Sequence, residues 1–200
     1  MTTGTGHQFS GYYNRRSIRL SGYDYSRPGN YFVIVCSYDR WKNMFGTIKN
    51  GAMIVNEYGK CVQRCWDEIP SHFPQVHLDE YIVMPDHVHG IICIRESDTS
   101  GEMVDDEMVV GVQNIEPLQR INRNRYQHIL PGSIGSIIRG FKIGVTKIIR
   151  KQLPAFKWQR NYYEHIIRTR HDLHSIRAYI KSNPIRWKRI RGEDNADSSS

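Results

Sequence analysis

His87 and His89 stand two residues apart in "PDHVHGIICI" (85–94), at the head of an apolar run that reads as a strand. Side chains at i and i+2 leave a strand on one face, so the two imidazoles project together while Val88 and Gly90 project the other way. Parallel imidazoles can hold one divalent cation, and they can equally be hydrogen-bonded core or surface residues. Tyr179 and Asn183, in "AYIKSNP" (178–184), are four apart and share one face of a helix. Beside the histidine pair they would complete a set: two nitrogen ligands, one oxygen ligand, open positions for a phosphate, and a tyrosine able to attack it. The same spacing is satisfied by a tyrosine packing on a sheet and an asparagine ending a helix before Pro184. Spacing alone leaves open whether this helix meets the histidine strand.

The elements that must position these residues can be read in order. "YFVIVCSY" (31–38) is β-branched and aromatic and reads as a buried strand. A helix is expected around 58–68, where Val62, Cys65 and Trp66 recur at helical spacing and Pro70 ends it. "QVHLDEYIVM" (75–84) and "HVHGIICIRE" (87–96) read as two strands. Residues 133–153 form an amphipathic helix, capped by Ser133 or Ser136, with Pro154 after its end. Its apolar stripe is Ile134, Ile137, Ile138, Phe141, Val145 and Ile148. "NYYEHIIRT" (161–169) reads as a strand, and 171–184 as a helix that Pro184 ends. The order β-α-β-β-α-β-α predicts an α/β (α+β) fold, a ferredoxin-like split βαβ core with an antiparallel sheet and an extra C-terminal helix. Residues 12–191 make a single domain containing a long connection at 97–133. Residues 1–11 and 192–200 are expected to be disordered.

The chain has 200 residues, 28 Lys+Arg against 20 Asp+Glu, and a net charge of +8. That balance favours an anionic partner, most often nucleic acid. Its distribution is uneven: 15 Lys and Arg against two acids between Ser136 and Arg191, and six acids with no base between Glu96 and Glu107. An evenly solvated surface would not produce this asymmetry. The acidic stretch suggests a spacer or a shield for the basic part. No run of about 18 apolar residues exists, so no transmembrane helix is expected. The N-terminus lacks the apolar core of a signal peptide. Four scattered cysteines (36, 61, 65, 93) suggest a reducing, cytoplasmic setting.

Four segments resemble a known family: "RRSIRLSGYDYSRPGNYFVIVCSYDR", "YIVMPDHVHGIICI", "SIIRGFKIGVTKIIRK" and "WQRNYYEHIIRTRHDLHSIRAYIKSNPIRW". They are similar to the REP-associated tyrosine transposases, a branch of the single-tyrosine HUH transposases. The resemblance runs from Arg15 to Trp187 in the same order. It implies that His87 and His89 are metal ligands, that Asn183 is the third ligand, and that Tyr179 is the nucleophile. Tyr162 and Tyr163 fall on the preceding strand and are the replacement candidates if the register is shifted. A phenol with a reference pKa of about 10 is a poor nucleophile unaided, so a divalent cation, Mg²⁺ or Mn²⁺, is expected to polarise the phosphate. The implied reaction is cleavage and rejoining of single-stranded DNA at hairpin-associated, REP-like or element-end sites. Tyrosine is left on the 5′-phosphate and the 3′-OH is free. No Walker motif is present, consistent with a bond whose energy is conserved.

Phosphate contacts are expected from Arg15, Arg16 and Arg19 in an aromatic-basic arm (12–30), from Arg139, Lys142 and Lys147 on the amphipathic helix, and from Arg160, Arg168, Arg186 and Lys188. Tyr12, Tyr13, Tyr23, Tyr25 and Trp187 are candidates for stacking on unpaired bases, or for packing on their own domain. A homodimer is compatible with the resemblance, with Tyr179 in cis or in trans, and so is a nucleoid-associated location in a bacterial cell. Three other readings stand beside this one. A zinc site using Cys61 and Cys65 lacks the usual ligand spacings. A domesticated module could bind hairpin DNA or RNA without cutting. A sheet that stacks RNA bases on its aromatics would need an RNP pattern that is absent.

Overall fold

The computed structural model describes residues 23–39, 42–96 and 130–191. Four strands form one antiparallel sheet: β1 (Gly29–Cys36), β4 (Val76–Val83), β5 (His87–Ile94) and β6 (Tyr163–Ile167). Their order is β4-β5-β1-β6. That is the arrangement expected of a ferredoxin-like split βαβ core, and the α+β reading holds.

The helices divide between the two faces because alternate strand residues do. Tyr31, Val33 and Val35 of β1 and Val88, Ile92 and Ile94 of β5 face one layer, built from α1 (Glu57–Asp67) and α3 (Ile134–Ile149). Phe32 of β1, Ile91 of β5 and Ile167 of β6 face the other, where Ile180 of α4 (Arg170–Arg191) joins them. Asn56 caps α1 by accepting from the Gly59 N–H at 2.9 Å. Ser133 caps α3. The stripe of α3 is buried as its periodicity requires, with Ile149 rather than Ile148 as its fully buried C-terminal member. Trp66 of α1 lies flat against Gly90, where a Cβ would come within 2.3 Å of the indole. Only glycine lets the helix approach β5 so closely.

Three boundaries differ from the sequence expectation. Pro70 does not simply end α1; it starts a second short helix, α2 (Ile69–His72), at a position where proline's missing N–H is not needed. A hairpin, β2 (Gly46–Lys49) and β3 (Ala52–Val55), lies between β1 and α1. Its Asn50-Gly51 turn has φ of 50° and 73°, the left-handed pair that this dipeptide favours. The last helix passes through Pro184 and continues to Arg191. Proline inside a helix costs about 3 kcal/mol. Here Asn183, Pro184 and Trp187 are all buried, and burial of an indole one turn beyond the proline offsets that cost.

Candidate metal and nucleophile site

The β4–β5 connection fixes the start of the histidine strand. Ser37 N–H donates to the Asp86 carbonyl at 2.8 Å, Phe45 N–H to the Pro85 carbonyl at 2.9 Å, and Met84 N–H to the His87 carbonyl at 2.7 Å. From that anchor His87 and His89 point toward α4, as the i, i+2 spacing requires. They are 4% and 3% exposed, and their Nε2 atoms approach to 2.5 Å. His87 Nδ1 is hydrogen-bonded to the Asp86 carboxylate. His89 Nδ1 is buried without a hydrogen-bond partner. Burial, and then the neighbouring His87, push the His89 pKa down to about 2, so its ring is neutral and has a lone pair to give.

Helix α4 closes over this pair. The Tyr179 ring lies 5.4 Å from the His89 ring and 6.0 Å from Phe32, and the Trp187 ring lies 5.3 Å from His87. Tyr179 and Trp187 are eight residues apart, about two turns on one helix face. Asn183 sits midway between them on that face and is buried. One chain therefore brings together its own His87, His89, Tyr179 and Asn183. Arg186 joins them, its guanidinium 5.9 Å from the centre of the Tyr179 ring.

The register of α4 is set from β4. Between Leu78 and Tyr81 the pairing with β5 slips by one residue, a bulge that breaks the alternation at Asp79 and Glu80. Both carboxylates then reach the helix. Arg177 grips Asp79 through Nε at 3.0 Å and Nη2 at 2.6 Å, and Lys181 meets Glu80 at 3.1 Å. Burial would raise the Asp79 pKa, but the Arg177 hydrogen bonds and charge outweigh it and hold the carboxyl below its ordinary value. Arg177 and Lys181 flank Tyr179 in sequence, so this clamp fixes the turn that carries the phenol.

The two replacement tyrosines separate. Tyr162 packs on the α1/α3 side, with the Lys142 ammonium 5.7 Å from its ring. Tyr163 lies on the histidine side, 6.2 Å from Phe32 and 49% exposed. The basic residues separate too. Arg139 and Lys147 are exposed, but they belong to α3, across the sheet from the histidines. The Lys142 ammonium is held by the Gln159 and Asn161 carbonyls at 2.9 and 3.2 Å, an internal tie. Arg160, Arg168 and Arg186 are exposed. Arg15, Arg16, Arg19, Tyr12, Tyr13 and the Lys188 side chain lie outside the described residues. Tyr23 and Tyr25 pack against Tyr31 and the core, and Trp187 is buried on His87, so the stacking expected of these three is with protein rings.

Sequence reasoning missed Asp86 and Phe32, and of the two roles it left open for Trp187 the structure shows packing. Asp86 adjoins His87 in sequence, but its burial could not be read there.

The residues present fit a divalent cation. Two buried imidazole nitrogens converge, burial favours the neutral form of the His89 ring, and Asn183 is buried on the helix face that carries Tyr179 and Trp187. Among the described residues no group of three or more His, Cys, Asp or Glu side chains could hold a metal, so within them a third side-chain ligand would be of another type, such as Asn183. Cys61 and Cys65 lie across the sheet from the histidines, so these side chains do not converge as a zinc site would require. Both sheet faces are covered by helices, which leaves no open sheet for stacked RNA bases.

Fold and site together define a ferredoxin-like domain with a histidine pair under its C-terminal helix. The same fold occurs in the solved structure of a REP-associated tyrosine transposase bound to a REP hairpin, with a TM-score of 0.54 and 18% identity over 84% of this chain and 74% of that one. No protein-family model matches the chain. An uncharacterised protein of Haemophilus influenzae is 43% identical over 180 residues, 90% of this chain and 93% of that protein, and the chain belongs to the same family as that protein. No helix among the described residues is long and apolar enough to cross a membrane.

Proposed function

We propose that this chain is a metal-dependent, single-tyrosine transposase of the REP-associated kind. It cuts and rejoins single-stranded DNA beside hairpins through a 5′-phosphotyrosine. The observation that carries the reading is the packing of Tyr179 on His89 within one chain, with Asn183 on the same helix face.

His87 and His89 would hold Mg²⁺ or Mn²⁺ through Nε2, and Asn183 through its side-chain oxygen. The cation, when bound, supplies charge stabilisation at the scissile phosphate. The rest is done by the chain. Phe32 and His89 hold the Tyr179 ring, and the Asp79–Arg177 clamp sets its height on the sheet. Arg186, beside that ring, is placed to attract the phosphate that the phenol attacks. The Tyr179 oxygen displaces the 3′ oxygen at phosphorus and becomes esterified to the 5′-phosphate. The reverse attack by a 3′-OH rejoins DNA and releases the tyrosine. Arg186 is the phosphate-binding candidate at this site, Arg160 and Arg168 are further exposed candidates, and Arg139 and Lys147 would serve DNA that wraps to the other side.

The test is a denaturing gel of labelled hairpin oligonucleotides with single-stranded flanks, incubated with protein in Mn²⁺, Mg²⁺ or EDTA. A protease-sensitive protein–DNA band that needs metal and vanishes in Tyr179→Phe is expected. A band that persists in Tyr179→Phe moves the nucleophile to Tyr163, the exposed tyrosine on this face. Tight binding with no band for any hairpin overturns catalysis in favour of a binding module.

A further inference from the structure

The two histidines are alike in burial and unlike in support. His89 is held by rings and by the His87 Nε2: Phe32 stacks on it at 5.8 Å, and Tyr179 and His87 meet it edge-on. Its Nδ1 has no hydrogen-bond partner. His87 has one, the carboxylate of Asp86, a residue with no exposed surface.

A carboxylate buried this completely needs a donor, because an unpaired buried charge is very costly. The main chain holds Asp86 in place behind His87. Its carbonyl is fixed by Ser37, and the residues on either side are fixed by Phe45 and Met84. The acid is thus set in place by the turn, independently of the helix that covers the site.

We infer that Asp86 is a positioning residue for the cation, acting through His87. A carboxylate oxygen that accepts from His87 puts the His87 proton on Nδ1. Its lone pair is then on Nε2, the atom that converges with His89 Nε2. The charge behind the ring also makes that nitrogen a better donor to a metal. His87 is the pre-set ligand; His89, whose Nε2 faces that lone pair, carries its proton there in the metal-free protein and must shift it to Nδ1 to bind a metal. This inference rests on the metal-dependent reading above, but it also makes a statement about the metal-free protein.

The experiment reads both. Ring ¹⁵N shifts of the metal-free wild type at about pH 8, where an ordinary histidine is neutral, report the His87 tautomer. Calorimetric titration with Mn²⁺ gives affinity for wild type, Asp86→Asn and Asp86→Ala. We expect the Nδ1–H form of His87 in wild type and in Asp86→Asn, whose side-chain oxygen still accepts. In Asp86→Ala we expect mixed tautomers and Mn²⁺ binding weaker by about 10–100-fold, with a smaller loss in Asp86→Asn. The wild-type tautomer and the near-isosteric Asn variant stand even if Asp86→Ala folds poorly. A wild-type His87 protonated on Nε2, or Mn²⁺ affinity unchanged in both variants, overturns the role of Asp86 alone. A wild type with the expected tautomer that takes up no Mn²⁺ overturns the proposed function, and the metal-presenting role with it.

Discussion

The two faces of the sheet carry the same strands and do different work. On the α1/α3 face the cluster is large and almost wholly apolar, and Trp66 fits against Gly90 with no room for a methyl group. On the α4 face the buried apolar cluster is small, Phe32, Ile91, Ile167 and Ile180 with Trp187 nearby, and beside it lie Asp86, His87, His89 and Asn183. One face is organised for burial. The other gives up burial to hold polar groups at fixed positions, including a histidine nitrogen without a partner. Stability is drawn mainly from the first layer, and the proposed chemistry belongs to the second.

The largest effect that tests this division is on the chemical face. His89→Leu should abolish metal-dependent adduct formation, yet leave the melting temperature unchanged or raise it, by an amount corresponding to about 1–2 kcal/mol, because it removes a buried unpartnered nitrogen. Adduct assay and thermal melting read the two halves, and a strongly destabilised variant would erase the contrast. Trp66→Ala should do the reverse. It should cost about 3–5 kcal/mol in urea unfolding by leaving a cavity in the main core.

Gly90→Ala sharpens the comparison, because it is made on one face and read on both. The new Cβ must displace Trp66 or β5. We expect about 1–3 kcal/mol of destabilisation, together with weakened Mn²⁺ binding, since Gly90 separates His89 from Ile91 on the same strand. Full Mn²⁺ affinity in a destabilised Gly90→Ala would show that the indole yields and the strand does not.

The smallest effect concerns the clamp. Asp79 is held below its ordinary pKa, so its pairing with Arg177 contributes stability above the unfolded carboxyl value, near 3.8, and loses it as pH falls through the lower folded value. The stability difference between wild type and Arg177→Met should therefore be constant near neutrality and shrink below about pH 4. A difference that grew on acidification would mean that Asp79 does not hold α4. The same variant should reduce adduct formation, because the clamp sets the turn of helix bearing Tyr179.

How much was legible in advance depends on the kind of information. Periodicity reports which face of its own element a residue occupies. It therefore gave the shared exit of His87 and His89, the shared face of Tyr179 and Asn183, and the buried stripe of α3; the α3 cap stayed open between Ser133 and Ser136 until the structure chose Ser133. The β2–β3 hairpin was signalled only by Asn50-Gly51, with no long alternation on either side. Pro184 misled, because a local rule about helix ends was overridden by burial of Trp187 one turn later.

From sequence alone, then, come the strand and helix order, the two pairs of chemical residues, and the basic C-terminal third. The tertiary structure decided that α4 rather than α3 covers the histidines, and that the basic helix lies across the sheet from them. It also placed Tyr163 on the site's side and Tyr162 on the other, and put a buried carboxylate behind His87. The reason is geometric. A repeat of 2 or 3.6 residues orients a side chain about its own backbone, but which neighbour it meets depends on strand order, on how each crossover returns to the sheet, and on a one-residue bulge in β4 that aims two carboxylates at the last helix.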